Sequence, residues 1–281
     1  MQKKKPYINY DYEAVYSEEV KAEDERIKHL LRAGEIKSVY ATKTIRSGKQ
    51  FEVEIYPEFT RKEADELRIK KESTTVQKNL NDRNARKRLE RTINANFGSG
   101  DYWLTLTYKN GSLPDSIEAA QKDMKNYIAR INYRRKKEDK PPAKYVYITE
   151  YGEKTGRCHH HLIIDQGTDM ETLEAIWKKG TRNNVRRITE DENGLIGLAS
   201  YLSKDPKGKK RWKSSKGLKK PKESKSYSAF KHKKVRKMVE NQNIIPEVLE
   251  KKYKKRFLSA EVRYNEHNGR FYIYARMVAR E

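Results

Sequence analysis

The stretch Arg157-Cys-His-His-His-Leu-Ile-Ile164 ends in an apolar run that predicts a β-strand, and it carries three consecutive histidines. Side chains two positions apart on a strand share a face, so His159 and His161 point to one side. His160 points to the other side with the apolar residues, where we expect a core histidine or one that supports a ligand, rather than a ligand itself. Two imidazoles on one face can chelate a divalent ion, although a chance cluster of histidines or a tag-like metal-binding run is the alternative.

A third ligand is predicted on the preceding strand. Residues 145–150 form a strand-like run, and Gly152 and Gly156 mark a turn between this run and the histidines. The resulting hairpin brings Glu150 beside His159 and His161. A set of two histidines and one carboxylate leaves coordination positions open for a substrate phosphate. With mixed nitrogen and oxygen ligands we expect Mn²⁺ or Mg²⁺, and Zn²⁺ or Co²⁺ would also bind in vitro.

The rest of the chain mixes strands and helices. Residues 102–108 alternate as a strand, residues 116–132 have apolar residues at helical spacing, and residues 258–264 and 270–277 flank Asn268-Gly269 as a hairpin. Further helices are expected at 18–33, 62–71, 80–96, 170–178 and 196–205, and further strands at 37–44 and 184–188. Several hairpins among helices predict an α+β fold with a mainly antiparallel sheet.

A tyrosine and a lysine lie three residues apart on the helix expected at 196–205. Tyr201 and Lys204 therefore share a face. A phenol has a free pKa of about 10, so its attack on phosphorus needs a metal to polarise the phosphate and a cation to favour the developing charge. Lys204 could supply this cation. Taken alone, the pair is weak, because the chain has 19 tyrosines and many lysines.

The composition indicates an acidic partner. The formal net charge is +24 and charged residues make up 37% of the chain. Nucleic acid is the usual partner of so basic a protein, while an anionic membrane surface or ribosomal RNA would satisfy the same electrostatics. Cys158 is the only cysteine, so an intrachain disulfide and a multi-cysteine zinc motif are both excluded. Without a long apolar run, we expect a soluble cytoplasmic protein with no membrane partner.

A lysine-dense segment at 204–225 is the expected site for a single strand, because phosphates take the charge and a base can stack on an indole. A solvated, disordered loop is the alternative. The candidate DNA-binding residues are Lys209, Lys210, Arg211, Trp212, Lys213, Lys216, Lys219 and Lys220, together with Arg157 near the histidines.

Three segments together resemble motifs of the HUH endonuclease superfamily, most closely the single-tyrosine rolling-circle replication initiators of bacterial plasmids and phages. The first motif, a hydrophobic strand, matches Trp103–Tyr108; the second, His-x-His, matches His159–His161; the third, Tyr-x-x-Lys, matches Tyr201–Lys204. The middle position of the second motif is normally bulky and apolar, and here it is His160. Relatives often carry a carboxylate ligand eight or nine residues ahead of the histidines, where Glu150 stands.

The resemblance implies a central five-stranded antiparallel sheet of the ferredoxin-like or RRM-like type, with the histidines on central strands and the tyrosine helix against it. It also implies that Tyr201 attacks single-stranded origin DNA, leaving a free 3′-hydroxyl and a 5′-phosphotyrosyl link that later rejoins strands. The endonuclease domain would span 96–281, including the segment 204–225 and a C-terminal helix plus hairpin, after an N-terminal basic extension at 1–95.

Other functions remain possible from the sequence. A transposase or a mobilisation relaxase would use the same site on a different DNA. A non-catalytic nucleic-acid-binding protein, with structural histidines, is the alternative from another class. The chain contains no G-x-x-x-x-G-K-[ST] motif, so we expect a host helicase to supply the unwinding.

Overall fold

The structure is a computed structural model in which residues 38–59, 75–152, 155–180, 183–191, 194–195, 197–198, 202, 212–265 and 270–280 are described. The chain divides into two compact units, which we call unit 1 (Met1–Lys87 and Pro221–Glu281) and unit 2 (Arg88–Lys220). The helices expected at 18–33 and 62–71 lie outside the described residues, as does most of the helix expected at 196–205, of which Gly197, Leu198 and Leu202 are helical.

In chain order the strands and helices are β1 (Ser38–Ser47), β2 (Gln50–Phe59), α1 (Thr75–Asn96), β3 (Tyr102–Thr107), α2 (Ile117–Lys137), β4 (Tyr145–Tyr151), β5 (Cys158–Ile164), α3 (Met170–Ile176), β6 (Asn184–Arg187), β7 (Lys213–Ser214), β8 (Lys222–Ser226), α4 (His232–Glu240), α5 (Ile245–Tyr253), β9 (Lys255–Asn265) and β10 (Arg270–Ala279). Among the described residues, none of the helices combines the length and the apolar composition that crossing a bilayer requires.

The α+β prediction is confirmed, with one difference in the number of sheets. The described residues form two five-stranded sheets where one central sheet was expected, and every strand pair is antiparallel. Unit 2 holds the sheet in the order β6-β3-β5-β4-β7, which makes the histidine strand β5 the central one. Unit 1 holds the second sheet, in the order β8-β1-β2-β10-β9.

One face of the unit 2 sheet packs against α2 and α3. Alternation along β3 buries Leu104 and Leu106 on this face, where they meet Met124 and Tyr127 of α2. Helix α2 begins at a capping residue, because Ser116 Oγ accepts a hydrogen bond from the Ala119 amide at 3.1 Å. Such a cap is worth about 1 kcal/mol.

The opposite face of the same sheet carries the candidate site. Val146, Ile148 and Ile163 of the sheet are buried there against Leu89 and Ile93 of α1. Leu195 and Leu202 also belong to this cluster, and Leu198 is partly buried against it. The polar side chains of β3, β4 and β5 on this face lie beside the buried apolar cluster.

In unit 1 the sheet packs one face against α4 and α5. Its core includes Val53, Ile273 and Met277 from the strands with Val235 and Leu249 from the helices. The C-terminal hairpin β9–β10 is part of this sheet because β10 pairs with β2, which is more than two hundred residues away in sequence.

The two compact units follow strand pairing, and the expected regions 1–95 and 96–281 stay a prediction. The last strands and helices, together with β8, group with the strands β1 and β2 rather than with the histidine sheet. The reason is the pairing of β10 with β2 and of β8 with β1. The lysine-dense segment 204–225 is therefore split, with β7 in unit 2 and β8 in unit 1.

Candidate functional site

Strand β5 separates its three histidines between the two faces of the unit 2 sheet. His159 and His161 lie on the face that also carries Thr105 and Thr107 of β3, since these residues pair directly across the strands. On the other side, Glu150 of β4 pairs with His159. Register therefore brings a carboxylate next to two imidazoles, as the hairpin prediction required.

The three side chains form a cluster of metal-ligating atoms. Glu150 Oε2 lies 3.8 Å from Nε2 of His159 and 3.8 Å from Nε2 of His161. All three ligand atoms fall within 4.8 Å of one another. Two ligands that each lie about 2.0–2.2 Å from a shared ion are at most about 4.4 Å apart, so the separations to Glu150 suit a common ion.

The carboxylate of Glu150 is incompletely satisfied. Its Oε1 atom is buried and has no hydrogen-bond partner among the residues that the structure describes. Burial raises the pKa of Glu150 above its usual value, an effect that the nearby His159 partly opposes. A buried carboxylate without donors is costly unless it meets a cation, so this orphaned oxygen fits a metal ligand.

The imidazoles are oriented by their second nitrogens. His159 Nδ1–H donates to the carbonyl oxygen of Arg157 at 3.3 Å, and this contact turns Nε2 towards Glu150. His161 Nδ1 lies 3.2 Å from Thr105 Oγ1, which also accepts a hydrogen bond from Trp103 Nε1 at 3.3 Å. In the tautomer with the proton on Nδ1, His161 also presents Nε2 to the cluster. Such outer partners fix ring orientation in metal sites.

The protonation state of His161 favours ligation. Its side chain is 5% exposed, and burial, reinforced by repulsion from His159, lowers its pKa to about 4. His161 is therefore neutral at physiological pH, with a lone pair available to an electrophile.

His160 belongs to the core, as the alternation predicted. It is fully buried; its Nε2 lies 2.8 Å from the Tyr108 hydroxyl and its Nδ1 lies 2.9 Å from Thr149 Oγ1. Its ring also packs edge-on against Trp177 at 5.6 Å between centroids. With both nitrogens engaged on the face away from the cluster, His160 is not one of the three converging side chains.

A cavity of about 440 Å³ adjoins the cluster. Thr105 links the two, because it lines the cavity and contacts His161, and the Trp103 indole lies 5.5 Å from the His161 ring. The lining residues are Trp103, Thr105, Asn184, Arg186, Arg187, Ile188, Thr189 and Leu198. An aromatic ring with two arginines and an amide suits a nucleotide.

Sequence reasoning did not assign these roles to Thr105 and Trp103. The alternation of β3 already placed both on one face, but the register that joins Thr105 to His161 comes from strand pairing. The buried Arg135 was also missed. It is 1% exposed, forms an ion pair with Asp165 at 2.7 Å and donates to Thr168 Oγ1, thereby fixing the turn that follows β5.

The remaining candidate residues are placed as follows. Arg157 donates to Asn110 Oδ1 and to the Tyr108 carbonyl, both at 2.7 Å, and so ties two loops together. Trp212 is partly buried against the apolar cluster of the histidine face, and Lys213 donates to Gln121. Lys216, Lys219 and Lys220 are exposed. Outside the described residues lie Tyr201, Lys204, Lys209, Lys210 and Arg211.

Residues 101–206 match the model of a protein family described as replication-associated protein, of the ORF2 type. This span contains the first strand motif, the histidine strand and the Tyr201–Lys204 pair, and it covers less than half of the chain. No curated protein and no solved structure matches the chain. The family match supports a role for this chain as a replication initiator.

Proposed function

We propose that the chain nicks single-stranded origin DNA with Tyr201 as the nucleophile and so starts rolling-circle replication. The observation that carries this proposal is the convergence of Glu150, His159 and His161, with an orphaned carboxylate oxygen, on one sheet face. A replication-associated family match over the same region supports the choice of DNA as substrate.

The nucleophile is assigned from the Tyr-x-x-Lys pair. Leu202 is buried in the apolar cluster beside the histidines, and Tyr201 is joined to it by one peptide bond. The family match includes this pair, which supports the assignment. Lys204 would favour the developing phenolate charge.

The reaction exchanges one phosphodiester for another. A divalent ion held by Glu150, His159 and His161, Mn²⁺ or Mg²⁺, would polarise the scissile phosphate. The Tyr201 oxygen bonds to phosphorus while the bond from phosphorus to the 3′-oxygen breaks, and in net terms the phenolic proton passes to that 3′-oxygen. The products are a 3′-hydroxyl and a 5′-phosphotyrosyl link, and the reverse reaction rejoins the strands.

Two surfaces are proposed to hold the strand. The cavity beside His161 would accept a nucleotide next to the scissile phosphate, with its base against Trp103 and phosphates near Arg186. The lysines around Trp212 would contact the strand further along. Duplex unwinding would come from a host helicase.

The direct test incubates the purified chain with a random-sequence library of single-stranded DNA and Mn²⁺. A covalent protein–DNA adduct that resists denaturation is expected for the wild type and is lost in Tyr201→Phe. Glu150→Gln and His159→Ala should also lose it. Tyr133→Phe is the matched control, because Tyr133 is a tyrosine of unit 2 that is 63% exposed.

Tight binding of the library without any adduct, in every metal tried, would refute the nuclease and favour a non-catalytic binding protein. An adduct that persists in Tyr201→Phe but is lost in Tyr133→Phe would assign the nucleophile to Tyr133 instead.

A further inference from the structure

Unit 1 contains a basic surface that the proposed nuclease site does not use. The start of helix α4, together with the residue that precedes it, has the sequence Lys231-His-Lys-Lys-Val-Arg-Lys237. Every residue in this stretch except Val235 is exposed. Val235 and Met238 are fully buried in the unit 1 core, so the helix is fixed to the sheet and its cations are held outward.

These cations are largely available to a ligand. Lys233, Lys234 and Lys237 have no ion-pair partner within the described part of the chain. Arg236 pairs with Glu240 at 2.7 Å, but both side chains are mostly exposed. Exposed pairs of this kind are worth little, so a phosphate competes with Glu240 easily.

A concave site of about 680 Å³ lies between this helix and the end of the β9–β10 hairpin. Lys233 and Arg236 line it from the helix, and Arg270 lines it from β10. Arg270 is held in place by its hydrogen bond to Ser38 Oγ at 2.9 Å. Glu240 is the one acidic residue among the described residues that line the site.

The site also offers an aromatic surface. Tyr264 is 53% exposed, and its ring centroid lies 4.7 Å from that of Phe271, its cross-strand partner. Two hydrogen bonds hold residues that line the site in place. The Phe271 amide donates to the Tyr40 hydroxyl at 3.0 Å, and His232 Nε2–H donates to the Ser38 carbonyl oxygen at 2.8 Å. An exposed aromatic beside a row of cations is the arrangement with which proteins hold single strands.

We propose that this surface of unit 1 is a second binding site for single-stranded DNA, in which phosphates lie along Lys233 and Arg236 and a base stacks on Tyr264. The inference rests on the proposed function only in the choice of DNA as the polyanion. A solvated basic helix face would also explain the lysines, but it would not require an exposed tyrosine at the mouth of a concave site.

The test measures binding of the full chain to a fluorescent single-stranded oligothymidylate by anisotropy. EDTA is present, so that the metal cluster of unit 2 contributes nothing. The variants are the double substitution Lys233→Gln with Arg236→Gln, the truncation Tyr264→Ala and the conservative Tyr264→Phe. Lys136→Gln with Lys137→Gln is the matched control, because it removes two exposed cations from α2 in unit 2.

We expect the Lys233/Arg236 variant to lower the salt dependence of binding by about 1.4 in log–log slope, at about 0.7 per phosphate contact. Tyr264→Ala should weaken binding about tenfold, and Tyr264→Phe should bind like the wild type because the ring is kept. The Lys136/Lys137 control should bind better than the Lys233/Arg236 variant.

Equal affinities in the Lys233/Arg236 variant and its control would overturn the site. An unchanged affinity in Tyr264→Ala would also overturn the site. The same holds if the variants lose affinity only for a duplex of the same length and not for the single strand. Adduct formation on a short strand that covers only the cleavage site reports on unit 2 separately. If no adduct formed, the proposed nuclease activity would be refuted, while the binding results would still decide whether the second site exists.

Discussion

His160 Nε2 lies 2.8 Å from the hydroxyl of Tyr108, on the sheet face opposite the two neighbouring histidines. One strand therefore supplies two chemically different kinds of imidazole. His159 and His161 converge with a carboxylate on one sheet face, while His160 is buried on the other face with both ring nitrogens in polar contacts. The core histidine is therefore a group whose protonation can be followed separately from its position on the candidate metal face.

Acidification should destabilise the fold through His160. Burial lowers the pKa of His160 to about 3, against an ordinary value of 6.5. The unfolded chain therefore binds more protons below pH 6.5, and stability falls as the pH drops towards the folded pKa. Between pH 7 and pH 5, this histidine alone should lower the free energy of unfolding by about 2 kcal/mol.

Urea unfolding in chelator, at pH 7 and at pH 5, tests this effect. His160→Gln should show a smaller difference in unfolding free energy between the two pH values, whatever its stability at pH 7. An identical pH dependence in the variant and the wild type would show that His160 is not buried in its neutral form.

Thr105 should support metal binding without touching the ion. Its Oγ1 contacts His161 Nδ1, so Thr105→Val removes the partner that orients this ring. We expect a 10–100-fold loss of Mn²⁺ affinity, roughly the effect of removing an outer partner in known metal sites. Calorimetric titration without DNA measures it.

Thr44→Val is the control for this substitution, because Thr44 is a strand threonine in unit 1. Unchanged Mn²⁺ affinity in Thr105→Val, in a variant shown by circular dichroism to be folded, would mean that Thr105 does not act through His161.

The buried Arg135 should contribute strongly to the free energy of unfolding, whereas its exposed neighbour Arg134 should contribute little. Arg135→Ala leaves Asp165 and Thr168 without their partner and should lower the unfolding free energy by about 3 kcal/mol. Arg134→Ala removes an exposed pair with Glu138 and should change it by less than about 1 kcal/mol. Similar losses in the two variants, measured by urea unfolding, would contradict this account.

Cys158 should be unreactive in the folded chain. Burial raises its pKa to about 11, with a further contribution from Asp123. Roughly one thiol in a thousand is then ionised at pH 8, and the side chain is also inaccessible. Alkylation by iodoacetamide, followed by mass spectrometry, should be slow without urea and fast in urea. Rapid labelling without urea would indicate that β5 opens locally.

The strands near the candidate site were largely predictable because their patterns are local. The strand expected at 158–164 matches β5, and those expected at 102–108 and 145–150 match β3 and β4 within one residue at their ends. Alternation on these strands was sufficient to separate His160 from His159 and His161. The convergence with Glu150 followed from a short hairpin.

Three strands of the second sheet were expected from local patterns, but β2, β8 and the pairing that joins the sheet were not predicted. Strand β2 carries Glu52, Glu54 and Glu58, which look like surface residues in sequence. In the structure Glu52 accepts a hydrogen bond from Tyr274 and Glu58 pairs with Lys225, both far away along the chain. Local periodicity cannot reveal such partners, and for the same reason the pairing of β8 with β1 was missed.

The most direct measurement of the central claim is mass spectrometry of the covalent adduct formed with single-stranded DNA and Mn²⁺. The account predicts a single modified peptide that contains Tyr201, joined through the phenolic oxygen to the 5′-phosphate of the downstream fragment, with a free 3′-hydroxyl upstream. A phosphate on a different residue, a 3′-linked fragment, or cleavage without any covalent link would contradict it.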